Sequence, residues 1–118
     1  MYLDANGLDL AETFRCGQCF RWRQEPSGCW TGTVAGRAVR AEQAPDGRIC
    51  LTGLAGPAPE TEPDFWARYF ALDLDYPALL DRMRAAHKGL AACIDCAPGI
   101  RVLRQPFFET LVTFLISQ

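Results

Sequence analysis

Apolar residues recur with a period of two between residues 19 and 52 and with a helical period after Pro63, and this change of period constrains the fold most. Phe20 and Trp22 alternate with Arg21 and Arg23, which predicts a strand over 19–24. Pro26-Ser27-Gly28 then marks a turn. A second strand follows over 29–34, with Trp30 and Val34 on one face and Thr31 and Thr33 on the other. Gly36 opens a third over 37–43 with Val39 and Ala41 inward. Pro45-Asp46-Gly47 turns the chain into a fourth over 48–52 through Ile49 and Leu51. Short strands about ten residues apart, joined by turns, predict an antiparallel meander. Phe20, Trp22, Trp30, Val34, Ile49 and Leu51 are its expected buried face. Residues 8–10 are read as a further edge strand, with Asn6-Gly7 as a hairpin turn before it.

Residues 53–63 are rich in Gly, Pro, Ala and Glu and read as a surface connector. Thr61 and Asp64 then stand as a capping pair with Pro63 in the first turn. Phe65, Trp66, Tyr69 and Phe70 recur at helical spacing. Asp75 is placed to cap a second helix, with Pro77 just inside it and Leu79, Leu80 and Met83 on one face. Pro98-Gly99 breaks that region, and residues 100–103 read as a short extended piece. Gln105-Pro106 starts a last helix whose apolar positions are Phe107, Phe108, Leu111, Val112, Phe114, Leu115 and Ile116. That pattern wraps most of the helix, so the helix is expected to be buried. It stops at Gln118 with no closing Gly, Asn or basic residue, and the chain is therefore read as a fragment of a longer protein. The whole is an α+β fold.

Apolar residues make up 49% and charged residues 22% of the 118, a globular balance with room for a real core. No apolar run reaches the ~20 residues of a membrane helix. The N-terminus lacks the basic start and apolar stretch of an export signal, so an intracellular protein is expected, neither secreted nor membrane-bound. The net charge of −2 argues against a free-standing nucleic-acid binder. Four of the six cysteines form two Cys-x-x-Cys pairs, Cys16/Cys19 and Cys93/Cys96. Such pairs hold zinc or act in redox chemistry in other settings, but here they lie far apart in sequence, and small buried thiols are the plainer reading. Asp73 and Asp75 suit turns and caps. His87 beside the only lysine, Lys88, suits a solvated helix end. No phosphate-binding glycine loop, Gly-x-Ser-x-Gly or His-Glu-x-x-His motif occurs.

The densest cluster is Gly17-Gln18-Cys19-Phe20-Arg21-Trp22. Taken locally it is a glycine turn feeding a strand. Residues 9–22 as a whole, Asp9-Leu10-Ala11-Glu12-Thr13-Phe14-Arg15-Cys16 followed by that cluster, resemble the opening of the 8-oxoguanine DNA glycosylase family. Phe65-Trp66-x-x-Tyr69-Phe70-x-Leu72-Asp73 is similar to a later segment of the same family. So is Gly99-Ile100-Arg101-Val102-Leu103-Arg104-Gln105-Pro106 with the helix that follows it. The segments come in the family's order and cover nearly the whole chain.

The resemblance implies a TBP-like antiparallel sheet with helices over 1–104, and over 105–118 the first helix of a helix-hairpin-helix catalytic domain. It implies base excision repair: a glycosylase that flips oxidised guanine out of damaged double-stranded DNA and cuts the strand through a Schiff base on a lysine, assisted by an aspartate. No cofactor or metal is implied. The catalytic lysine and aspartate are expected beyond Gln118. Lys88, in Ala86-His87-Lys88-Gly89, does not match the motif that delivers the nucleophile, so this chain alone is expected to be inactive. Among site residues, Gly17 matches the family glycine whose backbone carbonyl faces the flipped base, and Gln18, Cys19 and Phe20 are its expected loop support. The DNA contacts are expected mainly from the catalytic domain, which lets this part be acidic. Self-association through the last helix is expected if its apolar surface stays uncovered. The rival readings are a non-catalytic TBP-like binding or interaction module and a cysteine-based zinc domain.

Overall fold

The computed structural model describes residues 1–118. Its centre is a five-stranded antiparallel sheet of β1 (Tyr2–Leu3), β2 (Trp22–Gln24), β3 (Trp30–Val34), β4 (Arg37–Gln43) and β5 (Ile49–Ala55). The strand order is β1-β5-β4-β3-β2. The meander expected from the alternation is therefore present, with β1 returning beside β5. Trp30 pairs with Ala41 and Gly32 with Val39. This register sends Trp30, Val34, Val39, Ala41, Ile49 and Leu51 to one buried face.

The edge strand is not at 8–10. Leu10 instead begins α1 (Leu10–Arg15), capped by Asp9, whose side chain accepts from the Glu12 N–H at 2.8 Å. Leu10, Thr13 and Phe14 fall on one helical face and are buried, so 3.6-residue periodicity outweighed the short Leu-Asp-Leu alternation. Asn6-Gly7 lies in a turn closed by Leu8 N–H donating to Ala5 (2.9 Å) that leads into this helix, not in a hairpin. The true edge strand is tied down by the N-terminal ammonium, which donates to the Leu51 carbonyl at 2.7 Å and meets Glu60 at 2.8 Å.

β2 starts at Trp22, not Cys19. Phe20 consequently lies outside the pleat and is 42% exposed, against the expectation that it shares the buried face of Trp22. β5 runs to Ala55, into the expected connector, because a bulge at Ala38/Val39 lets Gly53 pair with Val39 and Ala55 with Ala38. The Thr61–Asp64 capping pair does not form. Thr61 ends a single 3₁₀ turn (Pro59–Thr61), and its hydroxyl donates to Ala58.

The remaining helices are α2 (Pro63–Tyr69), α3 (Tyr76–Ala86), α4 (Lys88–Cys96) and α5 (Phe107–Ser117). Asp75 caps α3 as expected, accepting from the Ala78 N–H at 3.1 Å. α4 was not foreseen. His87 separates it from α3 by adopting an extended conformation and capping the new helix, its Nδ1 accepting from the Gly89 N–H at 3.0 Å. No helix is long and apolar enough to cross a membrane.

The core is aromatic. Phe14 stacks on Trp22 with ring centroids 4.3 Å apart, and Trp66 and Tyr69 of α2, with Phe70 at its C-cap, close over the sheet. Each such ring pair contributes about 0.5–1.5 kcal/mol beyond burial. All six cysteines are free thiols, and only Cys19 is buried. Cys16, Cys93 and Cys96 are exposed, which corrects the expectation of buried thiols. The fold brings no group of three or more His, Cys, Asp or Glu side chains into metal-holding range, so the two Cys-x-x-Cys pairs do not converge.

Candidate functional site

The site is built where α1 runs out. Residues 16–21 connect α1 to β2 without regular pairing, and Gly17 sits at φ +85°, in the left-handed region that side chains with a Cβ disfavour. A Cβ there would meet nothing within 4 Å, so conformation rather than space calls for glycine. No residue of the chain donates a hydrogen bond to the Gly17 carbonyl.

The loop is held by a strap of chain, residues 99–105, that crosses beneath it. Gln18 is the bolt between them. Its Oε1 accepts from the Leu103 N–H at 2.8 Å, and its Nε2 donates to the carbonyls of Arg101 (2.6 Å) and Thr13 (3.1 Å). Gln105 Nε2 donates to the Gln18 carbonyl at 2.6 Å. The strap is fixed to α1 as well. The Gly99 N–H donates to Glu12 at 2.9 Å, and the Arg101 N–H donates to the buried Thr13 hydroxyl at 3.2 Å. Gly99 permits this approach, since a Cβ there would stand 2.5 Å from the Cβ of Asp9.

Two buried groups nearby are chemically quiet. Burial, reinforced by the neighbouring Cys16, pushes the Cys19 thiol up to about 12, so it stays protonated and is a poor nucleophile at neutral pH. Its Sγ faces the Phe14 carbonyl at 3.7 Å. Arg101 is 2% exposed and has no carboxylate partner. Its guanidinium lies over the Tyr76 ring at 4.1 Å and donates to the Asn6 carbonyl at 2.5 Å, and burial lowers its pKa.

A cavity of about 340 Å³ opens beside the loop. Gly17, Gln18 and Phe20 form one wall, and Phe107, Leu111 and Phe114 of α5 form the other. Phe20 and Phe114 face each other with ring centroids 6.5 Å apart. α5 reaches this position through Glu109, which pairs with Arg21 at 2.5 Å and accepts from the Ala35 N–H at 2.9 Å. The helix turns its polar positions Glu109, Thr110 and Thr113 toward the sheet and leaves its apolar ones out. No residue of α5 is buried, and Phe107 and Ile116 are each 80% exposed. The expectation of a buried helix does not hold within this chain.

Of the four expected site residues, Gly17, Gln18 and Phe20 meet at the cavity, and Cys19 lies buried behind them. Lys88 is exposed in the first turn of α4 and lines no part of it. Gln105 was missed, having been read only as a helix start. Its place in the Gly99–Pro106 run was the one available signal.

Residues 1–111 match the family model described as the 8-oxoguanine DNA glycosylase N-terminal domain. The chain belongs to this family. Solved structures agree. MBOgg1 in complex with a low affinity DNA ligand is 34% identical over 95% of this chain, with a TM-score of 0.81. The 8-oxoguanine glycosylase/lyase of Clostridium acetobutylicum in its apo form is 30% identical over 94%, with a TM-score of 0.81. The same enzyme with double-stranded DNA carrying cytosine opposite 8-oxoG gives 30% and 0.80. This 8-oxoguanine glycosylase N-terminal domain spans 37% of each of those chains. The family assignment also accounts for the α+β architecture, a five-stranded antiparallel sheet backed by helices.

Proposed function

We propose that this chain is the lesion-reading part of a DNA repair glycosylase with lyase activity that removes 8-oxoguanine from double-stranded DNA. The observation that carries the proposal is the Gly17 carbonyl, presented from a braced loop and accepting no hydrogen bond from the chain. Normal guanine has an acceptor at N7, and 8-oxoguanine has N7–H there. A fixed carbonyl attracts the second and repels the first. A hydrogen bond gained against one left unmade is worth about 1–3 kcal/mol, a useful discrimination between two bases that otherwise look alike. Phe20 and Phe114 offer the cavity aromatic faces for an unstacked base.

The catalytic lysine and aspartate belong, in this reading, to a helix-hairpin-helix unit that α5 begins, in the part of that unit outside residues 1–118. Residues 1–104 are then the reading domain, and the chain by itself has no lyase or glycosylase activity. The exposed apolar positions of α5 support self-association of the chain when that unit is not packed on them. An intracellular location follows from the same role.

The test is duplex binding with 8-oxoguanine or guanine opposite cytosine, together with borohydride trapping. Preference for the oxidised duplex, weakened in Gly17→Ala, supports the reading. Equal binding of both duplexes, or a trapped adduct on Lys88, overturns it.

A further inference from the structure

We propose that Gln105 is a positioning residue for base discrimination: its side-chain amide holds the Gln18 main chain and so fixes the peptide that presents the Gly17 carbonyl. The inference rests on the reading of Gly17 given above and deepens it.

Two successive carbonyls, of Gly17 and Gln18, lie in the loop between α1 and β2. Only the second is filled, by Gln105 Nε2 at 2.6 Å. Guanine and 8-oxoguanine differ as donors only at N7, so a carbonyl reads that difference only where its direction is fixed. The bond from Gln105 holds the peptide that follows Gln18, one residue on from the Gly17 carbonyl.

Gln105 supplies stiffness that Gly17 lacks. At φ +85° with no atom within 4 Å of a notional Cβ, Gly17 has no steric neighbour holding its peptide planes in place. The restraint comes from one residue on. The Gln18 side chain is bonded to Leu103 and Arg101, and its main chain is bonded to Gln105. Side chain and main chain are thus pinned to the same strap, on which Gln105 immediately precedes Pro106, the N-cap of α5. A donor is required at this position. Glutamate has nearly the same shape but sets an acceptor against the Gln18 carbonyl, whereas lysine restores a donor with similar reach.

The experiment uses the 118-residue chain, as wild type, Gln105→Glu and Gln105→Lys. Amide resonances of Gly17, Gln18 and Cys19 are followed while 8-oxo-2′-deoxyguanosine or 2′-deoxyguanosine is added, and thermal midpoints are recorded alongside. The wild type responds preferentially to the oxidised nucleoside. In Gln105→Glu that preference narrows by about tenfold while the loop amides become more mobile, and Gln105→Lys restores both. A Gln105→Glu chain that discriminates as well as the wild type overturns the inference and leaves the reading of Gly17 standing. A loss of stability that Gln105→Lys does not rescue, with discrimination unchanged, makes the residue merely structural and overturns it too. A wild type that responds equally to both nucleosides, or to neither, overturns the reading of Gly17 and this inference with it.

Discussion

Trp22 Nε1 donates to the Tyr69 hydroxyl at 2.8 Å inside the core, joining the strand that leaves the Gly17 loop to the helix that covers the sheet. Both residues are buried, and burial holds the Tyr69 phenol protonated far above neutral pH. The bond sets where α2 sits on the sheet. The Tyr69 carbonyl in turn accepts from the Arg104 N–H at 3.0 Å, which ties the same helix to the strap.

Replacing Tyr69 by phenylalanine keeps the ring packing and removes the only partner of a buried indole N–H. The expected loss is about 1–3 kcal/mol of unfolding free energy, read by urea denaturation. Trp66 Nε1 already lies buried without a partner, and the substitution would add a second such indole. An unchanged midpoint in Tyr69→Phe would show that the bond adds nothing.

The Glu62 carboxyl accepts from Arg37 Nε at 2.6 Å and from Nη2 at 2.5 Å, and these bonds hold its pKa below the ordinary carboxylate value. A carboxyl depressed in the folded state binds its proton more readily when unfolded. Its contribution to stability is therefore complete above the unfolded value of about 4.3 and is lost as pH falls through the lower, folded value. Glu62→Gln is expected to flatten the decline of the thermal midpoint below about pH 4 and to change little of its slope near neutrality. An acid limb identical to that of the wild type would contradict this.

Thiol labelling should separate the cysteines by place rather than by motif. Cys16, Cys93 and Cys96 are exposed and are expected to react with iodoacetamide in the native state. Cys19 is buried with its thiol pushed up to about 12, so it should label only on unfolding. Mass mapping of native chains with Cys19 modified as fast as Cys16 would show the loop to be open.

The α5 surface should govern the oligomeric state. With Phe107, Phe108, Leu115 and Ile116 turned to solvent, the sedimentation coefficient is expected to rise with protein concentration. Phe108→Glu with Ile116→Glu should abolish that rise and leave the sheet intact. A wild type that stays monomeric with strongly protected amides across α5 would show that the helix needs no cover.

Much of the fold was legible locally. β3 and β4 match their expected bounds to within a residue, because a half-buried strand writes its period of two directly into the chain. Asp75-x-Pro77 announced α3 for a similarly local reason, a side chain that caps the helix three residues ahead. His87 gave no such warning. A histidine ending one helix and capping the next has no common signature, and α4 went unread.

Local pattern determined the strands of the meander and helices α2, α3 and α5, which faces of most strands are apolar, and that Gly17 stands at a turn. Tertiary structure decided the rest of the site. Phe20 faces a cavity because its neighbours on the chain leave the sheet, while Trp22, two residues on, enters it. The apolar side of α5 is left open because Glu109, paired with Arg21 and bonded to the Ala35 N–H, holds the polar side of the helix inward. Gln105 meets the Gln18 carbonyl across 87 positions of sequence. Periodicity and capping act over a few residues, so no hydrogen bond of that span leaves a trace in the local pattern, and only the closed fold brings its two ends together.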